Sequence, residues 1–179
     1  MGSVTYKTQP AIDASGGSVP MSGTEHPYKV LALLWPERVH SFVGGLLIGR
    51  TLHVCCGKSR LGSVRLDNDP DNDPDILCDA ANMRDCVEDG EFETVLCDPP
   101  YNGNMQWNHD LLSELCRVSS RRIVFQHWFV PVDDFGRYKK ATHGWGLTAL
   151  YGWMPRTYFG RMQMISVFDR DNMQPSLFS

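Results

Sequence analysis

The stretch Phe92-Glu93-Thr94-Val95-Leu96-Cys97-Asp98-Pro99-Pro100-Tyr101 decides how the chain is read. Its apolar part, Phe92 to Cys97, is short and β-rich, as a buried strand of a mostly parallel sheet should be. The two prolines after it donate no backbone hydrogen bonds and fix φ, so the chain leaves the sheet as a stiff loop with exposed carbonyls. Asp98 and the Pro99 carbonyl can accept hydrogen bonds from an exocyclic amine, while Tyr101 offers an aromatic face for a base to stack upon. Orienting that amine localises its lone pair towards an electrophile.

Outward from this stretch, compact apolar runs recur at Leu52 to Cys56, Val64 to Asp67, Ile76 to Asp79 and, here, Thr94 to Asp98, each bounded by Gly, Pro, Asn or Asp. The second, third and fourth end in Asp67, Asp79 and Asp98, and the first ends at Gly57. In open α/β sheets, ligands bind just beyond the carboxyl ends of the strands. A row of strand-terminal carboxylates is therefore a site signature. Downstream, His109 to Val118 reads as a helix, Arg122 to Val130 as a fifth strand, and Leu147 to Met154 with Met162 to Asp169 as two closing strands around Pro155 to Arg161. Upstream, the apolar positions from Pro27 to Ile48 recur at helical spacing and fit two short helices, the second beginning at Pro36. Only Gly57 to Ser63 separates the first two strands, whereas a parallel crossover takes about a dozen residues or more. The first crossover helix is accordingly expected to be missing or reduced to a turn.

The 179 residues, 42% of them apolar, with 17 Lys and Arg against 21 Asp and Glu and a net charge of -4, suit a single α/β domain with a core of its own. Residues 1–23, rich in Gly, Ser, Thr and Pro, read as a flexible tail, residues 24–170 as the domain, and 171–179 as a second tail. The longest apolar stretches fall far short of the roughly 20 residues that span a bilayer, and the start lacks a signal-peptide layout, so a cytoplasmic protein is expected. Six cysteines without a CxxC pair read as reduced packing residues, and no metal site is expected. Asp69, Asp71, Asp73 and Asp75 lack the Gly and terminal Glu of a calcium loop and read as a solvated turn. Between Arg117 and Arg161, eight basic residues face only Asp133 and Asp134, a local balance of +6 on which a phosphate backbone could dock. A solvated charged face fits that composition equally well.

On the Asp98-Pro99-Pro100-Tyr101 motif and the glycine loop before it, the chain resembles the class I S-adenosylmethionine-dependent amino-methyltransferases from about Thr24 to Asp169. The resemblance implies a Rossmann-like, mostly parallel seven-strand sheet closed by an antiparallel hairpin, and methyl transfer from S-adenosylmethionine to a base amine, most often adenine N6. Asp98, where the related cytosine N4 enzymes usually carry Ser, favours adenine. Leu52 to Gly62 looks like the family's glycine loop, with Cys55, Gly57 and Lys58 near the cofactor, although His53 and Ser59 depart from its common acidic and glycine positions. By the same resemblance Asp67 accepts from the ribose hydroxyls, with Asp69 as reserve, and Asp79 with Ala80 meets the cofactor's adenine. Pro27 and Tyr28, in Thr24-Glu25-His26-Pro27-Tyr28-Lys29, resemble the short His-Pro motif placed against the methionine end.

Asn102, Arg137, Lys139 and Lys140, in the loops after the motif and before Trp145, are the candidate nucleic-acid contacts, DNA being favoured over RNA. Trp107, His127, Trp128 and Trp145 could also reach a base, though a core role is the plainer reading of Trp128. Gln174-Pro175-Ser176-Leu177-Phe178 resembles the pentapeptide with which bacterial replication and repair proteins dock on the DNA sliding clamp; Gln174, Leu177 and Phe178 would be the contacts. Neither the glycine loop nor the Asp98-Pro99-Pro100-Tyr101 motif separates a DNA enzyme from an RNA amino-methyltransferase acting on adenine N6 or guanine N2. A non-catalytic binding module of the same fold is the alternative of a different class. The oligomeric state is left open.

Overall fold

The chain was analysed as a computed structural model that describes residues 37–100, 109–127, 144–153 and 162–170, all within the unit Leu33–Ser179. In chain order the elements are helix α1 (Glu37–Leu46), strands β1 (Thr51–Val54), β2 (Val64–Asp67), β3 (Ile76–Leu77) and β4 (Phe92–Cys97), helix α2 (His109–Val118), and strands β5 (Ser119–His127), β6 (Trp145–Trp153) and β7 (Gln163–Arg170). Short 3-10 turns stand at Pro70–Asn72 and Met83–Asp85.

The strands form one seven-stranded sheet in the order β3-β2-β1-β4-β5-β7-β6. Neighbours from β3 to β5 are parallel, and β7 lies antiparallel between β5 and β6. This is the expected α/β architecture: mostly parallel, with a C-terminal antiparallel hairpin. Alternation along β4 and β5 assigns the two faces. Val95, Cys97, Ile123 and Phe125 pack with Leu111, Leu112, Leu115 and Val118 of α2, whose spacing makes one apolar helix stripe. On the opposite face Leu96 and Val124 pack with Ile165 and with Val43 of α1. A helix on each face buries both sides of the central strands, which explains their nearly continuous apolar runs.

Several boundaries differ from the expected ones. β1 stops at Val54, not Cys56, because Cys55 turns to a φ of 55°, which no extended strand accommodates. β3 stops at Leu77, not Asp79, so Cys78 has already left the strand. β5 starts at Ser119, directly from the end of α2, and β6 and β7 are shifted by one or two residues. Helix α2 has the expected bounds; the first of the two expected upstream helices and the two tails lie outside the described residues.

The missing first crossover helix is borne out: Cys55–Ser63 joins the parallel neighbours β1 and β2 without one. Gly62, at φ 90°, permits the return, since a Cβ there would lie 3.3 Å from both the His53 Cβ and the Thr51 carbonyl oxygen. The next crossover, Asn68–Asp75, also carries just a 3-10 turn.

The reading of all six cysteines as reduced needs correction. Cys78 and Cys86 form a disulfide, while Cys55, Cys56, Cys97 and Cys116 are free thiols. The early end of β3 releases Cys78 from the sheet, and the 3-10 turn at Met83–Asp85 returns the chain so that Cys86 meets it. No described helix is long and apolar enough to cross a membrane.

Candidate active site at the carboxyl edge of the sheet

Strand order reverses between β1 and β4, since β2 and β3 lie to one side of β1 and β5 lies beyond β4. Open parallel sheets bind ligands at such a switch point, because the connections leaving the two strands diverge to opposite faces and open a crevice. Val54 is in register with Cys97, so Cys55 and Asp98 emerge side by side at that crevice.

The strand ends are stitched together by backbone and carboxylate hydrogen bonds. The Asp98 N–H donates to the Val54 carbonyl at 3.3 Å, and the Cys56 N–H donates to the Leu66 carbonyl at 3.1 Å. Each prolongs the parallel pairing one step past the strand. The Cys78 N–H then donates to the Asp67 carbonyl at 3.0 Å. At the centre the Asp67 carboxylate, 8% exposed, accepts from the Gly57 N–H at 2.8 Å through Oδ2 and from the Asp69 N–H at 2.9 Å through Oδ1. Gly57 adopts a φ of 50° within a turn closed by the Ser59 N–H on the Cys56 carbonyl at 3.0 Å. Asp98, Cys55, Gly57, Asp67 and Asp79 therefore follow one another along a single edge.

Individual residues stand as follows. Pro99 is buried and Pro100 exposed, so the stiff exit from β4 is anchored at its first proline. Asp79 is exposed and its Oδ1 accepts the Ala81 N–H at 2.9 Å in an Asx turn, while its neighbour Ala80 is buried. Asp69 has a local duty instead, capping the 3-10 turn through the Asp71 N–H at 3.0 Å. Lys58 donates through Nζ to the Asp71 carbonyl, which pins the glycine loop to the turn after β2. Cys55 is half-buried beside Cys97, and burial first, then the neighbouring Cys55, hold the Cys97 thiol well above its usual range. Burial likewise raises Cys56 to about 11. The Cys56 and Cys97 thiols are protonated packing groups.

Two features have no counterpart in the sequence reading. His53, 1% exposed in the middle of β1, has its imidazole lowered to about 4 by burial, although its Nδ1 lies 3.3 Å from the Leu61 carbonyl. It is neutral at pH 7. Asp67 serves as the acceptor that shapes the glycine loop, a contact across ten positions that no local pattern announces. The disulfide had a faint signal, two cysteines flanking an Asp- and Asn-rich turn.

The basic stretch divides. Arg117 pairs with Glu114 and Asp89, Arg121 with Glu93, and Arg122 with Asp169. These three stand at the end of α2 and the start of β5, where Ser119 is in register with Phe92 at the amino edge of the sheet. Asp98 leaves β4 at the other end, about 20 Å from the level of Ser119 and about 13 Å from that of Arg122, which is in register with Thr94, at ~3.3 Å per residue. The charges of these three are matched by carboxylates. Trp145 and His127 are buried, Trp145 under the Arg170 guanidinium and His127 against the Ser166 hydroxyl at 2.7 Å through Nε2, so both are core residues. Pro27, Tyr28, Tyr101, Asn102, Trp107, Trp128, Arg137, Lys139, Lys140, Gln174, Leu177 and Phe178 lie outside the described residues. Among the described residues no group of three or more His, Cys, Asp or Glu is arranged to hold a metal ion.

The edge is rich in acceptors, the carboxylates of Asp67, Asp79 and Asp98, the last followed by the two prolines. Hydroxyl and amine donors of nucleosides and nucleobases are their chemical complement. Compared with known proteins, the chain matches no protein-family model and no curated protein.

Proposed function

We propose that this chain transfers a methyl group from S-adenosylmethionine to an exocyclic amine of a nucleobase, adenine N6 in DNA being the first candidate. The observation that carries the reading is the stitched carboxyl edge, on which Asp98-Pro99-Pro100 leaves β4 at the switch point beside the Cys55–Gly57 turn.

The donor set fits the cofactor. In this reading Asp67 keeps lone pairs for ribose hydroxyls beyond the two it offers to backbone N–H groups, since an ionised carboxylate has about four acceptor sites. Asp79 and Ala80 flank the adenine, with Cys55, Gly57 and Lys58 towards the methionine end; for Pro27 and Tyr28 the same role rests on the family resemblance alone. When bound, S-adenosylmethionine supplies a methyl group on a sulfonium whose thioether is an excellent leaving group. Asp98 and the Pro99 carbonyl hold the two amine hydrogens, one of which leaves as a proton to solvent as the N–CH3 bond replaces the S–CH3 bond, and Pro100 stiffens the loop so that the acceptors keep their spacing. Tyr101 stacks on the base. Positioning supplies most of the acceleration, because a held amine aligned with its electrophile gains the entropy that free encounter would cost. A duplex target is flipped into the crevice at a cost of a few kcal/mol, offset by stacking.

Asn102, Arg137, Lys139 and Lys140 would contact the phosphate backbone. Gln174, Leu177 and Phe178 would tether the enzyme to DNA through a sliding clamp, raising local concentration. The experiment is transfer of tritiated methyl from S-adenosylmethionine to DNA and to RNA, followed by nucleoside analysis. Label in N6-methyladenine from DNA is expected. Label from RNA alone moves the substrate to RNA, and cofactor binding without label in either makes the chain a binding module. Clamp tethering is tested by titrating bacterial clamp with the full chain and with one ending at Met173, which should lose affinity.

A further inference from the structure

We infer that the Cys78–Cys86 disulfide is a thiol–disulfide exchange site whose redox state sets the loop carrying Asp79; it rests on the methyl-transfer reading for what that loop binds. β3 is a two-residue edge strand, in register with β2 at Leu66↔Ile76 and Asp67↔Leu77. The crossover leading into it carries a 3-10 turn in place of a helix, and Leu77 is 60% exposed. Short edge pairing with an uncovered side chain holds a strand weakly. Beyond the loop the chain is firmly anchored. Met83 is fully buried, and its N–H donates at 2.9 Å to Glu114, itself held by Arg117.

Asp79 to Asn82 is thus slung between a weak support and a strong one. Its internal bonds, from the Ala81 N–H to Asp79 Oδ1 and from the Asn82 N–H to the Asp79 carbonyl, shape the turn without fixing where it sits. The disulfide ties Cys78, the residue just before the loop, to Cys86, three positions past the Met83 anchor. Cross-linking both ends of the loop removes alternative positions of Asp79.

Cys86 is exposed, so a small thiol has access to the bond. A thiolate attacks one sulfur, forming a mixed disulfide and expelling the other cysteine as thiolate, and a second thiol resolves the mixed disulfide. Two electrons and two protons pass to Cys78 and Cys86 while the two reductant thiols become one disulfide. Re-formation takes the same electrons and protons back to a small-molecule disulfide such as oxidised glutathione. In the oxidised form Asp79 is held on the carboxyl edge for the adenine; in the reduced form the loop moves and cofactor affinity falls.

The test uses the full chain, oxidised and reduced, with S-adenosylhomocysteine as calorimetric probe and hydrogen exchange of the peptide covering residues 76–86 as a readout independent of binding. Alkylation under denaturing conditions should count four thiols before reduction and six after. Binding at least tenfold tighter in the oxidised form, slower exchange of that peptide, and a C78S/C86S variant matching the reduced form are the expected results. Comparing redox states of one sequence keeps the test independent of whether that variant folds. Six thiols without reduction, or equal affinity in the two states, overturns the exchange site. If the probe binds in neither state, exchange decides: an unchanged peptide overturns the redox restraint, whereas faster exchange on reduction sustains it and overturns the methyl-transfer reading instead.

Discussion

Replacing Asp67 separates its structural duty from its proposed contact with ribose. Its carboxylate accepts from Gly57, whose N–H is buried, and from Asp69, whose backbone can reach water. In Asp67→Asn one oxygen becomes an NH2, so a single acceptor remains for two N–H donors. The amide should turn its oxygen to Gly57 and leave Asp69 to solvent, exchanging a charge-assisted bond for a neutral one at about 1–2 kcal/mol. Asp67→Ala strands the Gly57 N–H as well, and a buried unsatisfied donor adds about 1–3 kcal/mol, for a total of about 2–5 kcal/mol. Urea unfolding followed by far-UV circular dichroism and tryptophan fluorescence reads both, with unchanged m values showing that stability alone has moved. S-adenosylmethionine affinity, measured where each variant is folded, should fall about tenfold for Asn and further for Ala. An Ala variant within 0.5 kcal/mol of the wild type would refute the argument that Asp67 holds the glycine loop. Normal stability with lost affinity would confine Asp67 to the ligand.

Asp98→Ala should abolish methyl transfer while cofactor affinity, read by calorimetry, survives; loss of cofactor binding with the fold intact would reassign the residue. Tyr101→Ala should weaken base binding by about 1–3 kcal/mol in a fluorescent-DNA titration, and Tyr101→Phe should retain most of it. Glu114→Ala should destabilise by about 3–5 kcal/mol on urea unfolding, because Arg117 and the Met83 N–H lose a buried partner. His53 gives a pH dependence of definite sign. Unfolded, it takes a proton near its ordinary 6.5, whereas in the fold burial delays this to about 4. Its contribution is therefore full above 6.5 and is lost as pH falls towards 4, by about 3 kcal/mol in total. Asp67, His40 and Arg65 act on the same ring, and a His53→Leu variant should show a flatter stability profile between pH 6.5 and 4.

Much of the fold was legible because it depends on local chemistry. Apolar runs ended by Asp67, Asp79 and Asp98 announced parallel strands, the segment His109 to Val118 read as a helix with the bounds α2 has, and the short Gly57–Ser63 link announced a crossover without a helix. The site was legible in outline for the same reason, since Asp98-Pro99-Pro100 is contiguous and its stiffness follows from proline geometry alone. Partnerships formed across the chain were decided by tertiary structure. Asp67 and Gly57 meet because β1 and β2 are parallel neighbours, and Cys78 meets Cys86 because β3 ends after two residues. Arg117, Arg121 and Arg122 count as positive charge in a composition, yet Glu114, Asp89, Glu93 and Asp169 cancel them in space. Sequence determines what each segment prefers to be, through backbone sterics and apolar periodicity. Which charge, acceptor or thiol it finds opposite is settled when the sheet brings distant segments within about 3 Å of one another.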